Sequence, residues 1–172
     1  MLEKLIPHKT VSSIFEIDLQ ALWSTGVRGI ITDLDNTLVG AKDPLATPTL
    51  IEWLKRVHSL GFQIVIVSNN NRLRVATFSE PLGVPFIHSA RKPFNRAFRK
   101  AMDLMRLSEK QTVVVGDQML TDVFGGNRLG IYTIMVMPVA PRDEGRMTRI
   151  NRRLEKIAVA MMKRRGLMPW QD

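Results

Sequence analysis

The sequence predicts an open, doubly wound (Rossmann-like) α/β fold: a parallel sheet with helices on both faces. Two observations predict it. Short runs of branched apolar residues alternate with longer amphipathic stretches, and polar residues cluster just after the runs. With 172 residues and 45% hydrophobic content, the chain can bury one good-sized core and has little room for a second.

Taken in chain order, residues 29–32, 62–67, 112–115 and 132–136 read as strands, each rich in Ile and Val. Their apolar character is continuous rather than alternating, as expected where both faces of a parallel sheet are covered. Residues 85–87 are a weaker fifth candidate. Helices are expected over 48–60, 71–82, 93–107 and 119–128. The first has clear boundary signals, because Thr47 suits an N-cap, Pro48 the first helical position and Gly61 the stop. In open α/β sheets, ligands bind at the carboxyl ends of the strands. Asp33 follows the first run, Ser68 and Asn69 the second, and Asp117 the run at 112–115. Three polar clusters distant in sequence should therefore meet on one sheet edge.

Lys and Arg number 25 against 16 Asp and Glu, a net charge of +9 that favours anionic partners without identifying them. Much of it lies in Arg142, Arg146, Arg149, Arg152, Arg153, Lys156, Lys163, Arg164 and Arg165. This asymmetry divides the chain into a body, residues 1–141, and a basic tail, residues 142–172. The absence of cysteine excludes disulfides, thiolate metal sites and a Cys nucleophile, so any metal must be held by oxygen or histidine. No stretch approaches the ~20 apolar residues needed to cross a bilayer. A soluble, cytoplasmic protein is expected, or one attached peripherally to the inner face of the membrane.

Asp33-Leu34-Asp35 places two carboxylates at the end of a strand, where they repel unless a cation, a proton or a ligand offsets them. Asp117 and Asp122 add further oxygen donors, and an oxygen-only set suits Mg²⁺. Each piece alone is an ordinary turn. Their joint placement at strand ends is what points to a site. His8, His58 and His88 lack partners at metal spacing and read as surface or packing residues.

The set Asp33-x-Asp35-x-Thr37, Ser68 after the second strand, Lys92, and Gly116-Asp117-x-x-x-Thr121-Asp122 resembles the four motifs of the haloacid dehalogenase superfamily, over roughly residues 30–137. More narrowly, residues 32–38, 68–70 and 116–128 are similar to the YqeG-type phosphatases (subfamily IIIA). These are a capless bacterial branch related to mitochondrial phosphatidylglycerophosphate phosphatases. The resemblance implies that Asp33 is the nucleophile, a carboxylate that needs no activating base to form an aspartyl-phosphate. It implies that Asp35 protonates the leaving oxygen, then takes a proton from water, and lends the metal a backbone carbonyl. Ser68 would bond the phosphoryl oxygens, with Thr37 and Asn69 at the substrate. Lys92 would stabilise phosphate and nucleophile, although Arg91 beside it offers the same charge. Asp33, Asp35, Asp117 and Asp122 form the implied Mg²⁺ set, with Asp122 acting directly, through water, or by positioning Lys92.

Neither gap that carries a cap domain in this superfamily is long enough here, so an open site is expected. Such a site accepts a phosphate presented on a membrane, a protein or a nucleic acid. A lipid phosphate such as phosphatidylglycerophosphate is the leading substrate, and a phosphoprotein or nucleic-acid end is the alternative. A basic RNA- or ribosome-associated binding protein on the same fold is a third reading. In the tail, Met147, Ile150, Leu154, Ile157, Met161 and Met162 recur at helical spacing among basic residues. This helix either docks on the body with a solvated outer face or binds anionic lipid. Trp170 after Pro169 would then sit at the lipid interface.

Overall fold

The computed structural model describes residues 2–167, so Trp170 lies outside the described residues. Six strands, β1 (Lys9–Val11), β2 (Gly29–Thr32), β3 (Gln63–Val67), β4 (Phe86–Ile87), β5 (Thr112–Gly116) and β6 (Tyr132–Val136), form one parallel sheet. Their spatial order is β1-β6-β5-β2-β3-β4. The helices are α1 (Leu19–Ser24), α2 (Pro48–Ser59), α3 (Arg72–Ser79), α4 (Asn95–Met105), α5 (Phe124–Leu129) and α6 (Arg146–Arg164). The doubly wound fold is as expected, with β1 and α1 as additions. β1 has three residues with only Val11 buried, and α1 has six, so neither is long enough to show a period.

The continuous apolar runs resolve into two faces. Ile30, Ile64, Ile66, Val113 and Val115 pack with Leu50, Trp53, Leu54 and Val57 of α2 and with Val75 and Phe78 of α3. Ile31, Val65, Val67 and Val114 point the other way, onto Ala97, Phe98, Ala101, Met102 and Met105 of α4. Phe98 is wholly buried, and its truncation to alanine would cost about 3–5 kcal/mol. α5 reaches this layer because Gly125 has no side chain: a Cβ there would lie 2.5 Å from the Phe98 ring.

Two helix starts bear on the site. Thr47 caps α2 by accepting the Leu50 N–H, and Asn71 caps α3 by accepting the Arg74 N–H at 3.0 Å. A π-helical turn, Met119–Val123, precedes α5. α6 returns along the molecule and buries Ala158 and Met162 against Leu5 and Met119, with Leu2, Ile6 and Phe124 partly covered beside them. Among the described residues, no helix is long and apolar enough to cross a membrane.

Candidate active site

β2 ends at Thr32, and Asp33 extends its ladder by donating its N–H to the Val115 carbonyl at 3.0 Å. The chain then turns on Asn36, whose φ of 65° is a left-handed geometry that asparagine tolerates better than most residues. The segment after β6 fastens this turn. The N–H groups of Val139 and Ala140 donate to the Asn36 carbonyl and side-chain oxygens at 2.9 and 3.1 Å.

Ser68 follows β3, donates its N–H to the Ile87 carbonyl and accepts the Asn70 N–H on its hydroxyl oxygen. Asn69 clamps the backbone of Lys92, accepting its N–H at 2.6 Å and donating to its carbonyl at 3.3 Å. Lys92 Nζ thereby sits between Asp33 Oδ1 at 2.9 Å and Asp122 Oδ1 at 2.7 Å, with its side chain 2% exposed. Arg91 is exposed. Asp122 comes from the π-helical turn, which folds back under the end of β5. That approach requires Gly116, because a Cβ there would overlap the Asp122 carboxylate.

Asp117 accepts the Thr37 hydroxyl at 3.0 Å on one oxygen and pairs with Arg152 of α6 on the other. Arg152 also reaches Glu144 at 3.0 Å and Glu155 at 3.2 Å, and Glu155 accepts the Leu120 N–H. Asp35 is held by Arg74 at 2.8 Å and by the Asn70 amide at 3.0 Å.

A cavity of about 290 Å³ opens beside these residues. Asp33, Asp35, Ser68, Asn69 and Lys92 line it, together with Asn70, Gln118 and Thr121. Glu144, Gly145, Met147 and Thr148, all beyond Pro141, complete the wall. Thr37 stands behind Asp117 rather than at the cavity, with its hydroxyl engaged there. Arg74, Asn70, Glu144 and Arg152 were not singled out as site residues. One usable signal existed for the last, since Glu155 is the lone acid of a basic helix and so invites an inward-turned partner.

The carboxylates of Asp33, Asp117 and Asp122 offer ligand atoms within 4.8 Å of one another, and all three are buried. Burial pushes Asp33 up to about 8 even against Lys92, with Asp122 and Asp117 adding to the push. Burial and Asp122 raise Asp117 to about 6 against Arg152 and Thr37. Burial disfavours the charge on Lys92, but Asp122 and Asp33 outweigh it and raise its pKa. A neutral Asp33 withdraws one of the two anions beside Lys92. Lys92 keeps its charge in either case because Asp122 is a second carboxylate at 2.7 Å. Three carboxylates face two cations, Lys92 and Arg152, and the excess negative charge with an all-oxygen donor set fits a hard divalent ion. The Thr121 hydroxyl at the cavity wall is buried without a protein partner among the described residues.

Fold and site together define a phosphatase of the haloacid dehalogenase type. A family model described as mitochondrial PGP phosphatase matches residues 2–139, and the chain belongs to that family. Over 173 residues, covering all of both proteins, it is 50% identical to "Probable phosphatase YqeG" of Bacillus subtilis (strain 168). It is 27% identical to "Phosphatidylglycerophosphate phosphatase 1, chloroplastic/mitochondrial" of Arabidopsis thaliana, with 96% of this chain aligned to half of the plant protein. Among solved structures, the p-nitrophenyl phosphatase from Archaeoglobus fulgidus shares the fold, with a TM-score of 0.50, 15% identity, and coverage of 68% of this chain and 92% of that one.

Proposed function

We propose that the chain is a Mg²⁺-dependent phosphomonoester hydrolase that forms an aspartyl-phosphate on Asp33, and that its substrate is a lipid phosphate such as phosphatidylglycerophosphate. The observation that carries this reading is the convergence of Asp33, Lys92, Asp117 and Asp122 behind one open cavity. Mg²⁺ held by the Asp33, Asp117 and Asp122 carboxylates and the Asp35 backbone carbonyl would supply charge that offsets repulsion between nucleophile and phosphate.

Asp33 Oδ1 is held by the Leu34 N–H at 2.8 Å and by Lys92, which leaves Oδ2 to attack phosphorus. The bond from phosphorus to the ester oxygen breaks, and Asp35 gives that oxygen its proton so that the alcohol leaves neutral. Water then attacks the phosphoryl group and passes a proton to Asp35, while the Asp33 bond to phosphorus breaks and restores the carboxylate. Ser68, Lys92 and the amides near Asn69 hold the phosphoryl oxygens, whose charge is redistributed in both steps.

Three observations support a lipid. The family and the plant relative are named for phosphatidylglycerophosphate. The β2–α2 and β3–α4 connections carry no inserted domain over the mouth. A cavity of about 290 Å³ also admits a phosphorylated headgroup while leaving acyl chains outside. The test is a turnover screen of phosphorylated lipids, nucleotides, sugars and phosphopeptides with Mg²⁺. Phosphatidylglycerophosphate should be preferred, and Asp33→Asn should abolish turnover of every ester. A phosphopeptide or nucleotide preferred over all lipids would defeat the substrate assignment, and near-wild-type activity in Asp33→Asn would defeat the nucleophile.

A further inference from the structure

We infer that the outer face of α6, continuous with the cavity mouth, is a docking surface for an anionic bilayer; as an account of substrate delivery, this rests on the lipid reading above. The inner face of α6 is already engaged. Arg152 and Glu155 bond the site, Asn151 donates to Gln118, and Ala158 and Met162 are buried against the N-terminal segment and Met119. The exposed stripe on the other side is therefore not awaiting the body.

That stripe is Met147, Ile150, Leu154, Ile157 and Met161, exposed by 70%, 49%, 49%, 56% and 43%. The spacings of three and four residues align it along one side of the helix for about 21 Å at 1.5 Å per residue. Next to it, on the flank away from the body, Arg149, Arg153, Lys156 and Arg164 are exposed. None of the four makes an ion pair among the described residues. The one acid of the helix, Glu155, is turned inward.

The outer face is thus apolar and basic only, which selects among occupants. A second copy pairing stripe to stripe would bring these arginines and the lysine against their own counterparts, with no carboxylate to offset them. An anionic bilayer satisfies both halves at once: the stripe enters the headgroup and acyl boundary, and the basic flank meets lipid phosphates. Met147 belongs to both the stripe and the cavity wall. Met137 and Val139, exposed after β6, lie at the same carboxyl edge of the sheet. Docking on this face turns the mouth toward the membrane.

The full-length protein is sedimented with vesicles of phosphatidylcholine alone and of phosphatidylcholine mixed with phosphatidylglycerol. Asp33→Asn is used in parallel so that binding is read without turnover. Binding should require the anionic lipid and weaken with salt. The Leu154→Gln, Ile157→Gln double variant should lower partitioning on the order of tenfold or more at an unchanged melting temperature. Arg149→Gln with Arg153→Gln should lower it by a similar factor. Vesicle binding without lipid turnover would defeat the substrate assignment and leave the surface standing. Turnover of detergent-dispersed phosphatidylglycerophosphate without vesicle binding would overturn the surface alone. It is likewise overturned if stripe variants bind vesicles as wild type does. It is overturned too if they only convert a dimer to a monomer, or if the face retains RNA but not anionic vesicles.

Discussion

Replacing Lys92 by methionine keeps the length of a buried side chain and removes its charge. In the wild type, Nζ lies 2.9 Å from Asp33 and 2.7 Å from Asp122, and the side chain is 2% exposed. Removing one partner of a buried ion pair costs about 3–5 kcal/mol because the other charge stays desolvated. Two features set the value here. Two carboxylates lose a cation, which favours the upper end; but Asp33, already pushed up to about 8, takes up a proton and relieves part of the loss. A penalty of about 3 kcal/mol at pH 8 without metal is therefore expected, or roughly 6–12 °C in melting temperature for a chain of this size. At pH 5, well below the value of about 8 for Asp33, that carboxyl is already protonated, so the gap should narrow. Calorimetry with chelator at the two pH values reads this directly. With Mg²⁺, turnover of a soluble aryl phosphate should fall about 10²–10³-fold, since the lost charge faces the phosphoryl oxygens. A melting temperature within about 2 °C of wild type at pH 8 would show that Lys92 does not bridge the carboxylates, and the site's charge balance would have to be redrawn.

The metal-free protein should also lose stability as pH rises. Asp33 and Asp117 have folded pKa values of about 8 and 6, above the ordinary 3.8, so the folded state binds more protons than the unfolded one across this window. Their contribution is fully present below about 4 and is lost as pH climbs to about 8; thermal melts with and without Mg²⁺ should show larger Mg²⁺ stabilisation at pH 8 than at pH 6. Arg152→Gln should lower metal-free stability by about 2–3 kcal/mol, because Asp117 and Glu144 lose their cation, yet tighten Mg²⁺ binding in calorimetric titration. Weaker Mg²⁺ binding would mean that Arg152 orients Asp117 for the ion rather than competing with it. Gly116→Ala should destabilise by about 1–3 kcal/mol and suppress turnover, because the new methyl displaces the Asp122 carboxylate. An active, unperturbed Gly116→Ala protein would show that Asp122 has room to move.

The parts of the fold legible in the sequence were those that carry a period or a composition of their own. The Ile and Val runs of β2, β3, β5 and β6 signal strands covered on both faces, and Thr47 with Pro48 marks the start of α2. Asp33, Ser68 and Asp117 could be placed without coordinates, because each directly follows such a run. Lys92 could not, since it follows the two-residue strand β4 and a loop, and only the motif singled it out from Arg91. The roles of Arg74 and Arg152 depend on which way α3 and α6 face, which tertiary packing decides. Thr37 shows the same limit from within a motif: the resemblance put it at the substrate, while its hydroxyl turned to Asp117. Likewise, the amphipathic pattern of the tail left two partners open. α6 docks through a face built on Arg152, Glu155, Ala158 and Met162, and only the last of these belonged to the apolar pattern.

α6 takes over part of what an inserted cap would do, by different means. A cap closes a site from above, whereas α6 stands beside the site and supplies one wall through Met147 and Thr148. It is anchored by charge at its centre, where Arg152 meets Asp117, and by apolar contact toward its end, at Ala158 and Met162. The two anchors leave the stripe from Met147 to Met161 facing outward along the whole helix. A 19-residue helix held at both places moves as one body, so a surface that binds its outer face also fixes the wall of the cavity. Arg152 sits on that same body, and a displacement of α6 large enough to break its pairing would uncover one oxygen of Asp117 to the cation site. If docking displaces α6 by that much, docking and metal affinity are linked through one helix, and linkage requires that the dependence run both ways. Mg²⁺ should shift partitioning onto anionic vesicles in the wild type. In Arg152→Gln, where the pairing is already absent, that shift should disappear while binding itself remains. A Mg²⁺ shift of equal size in both proteins would assign the effect to ion screening at the lipid surface, and α6 would then be a wall and an anchor without any coupling between them.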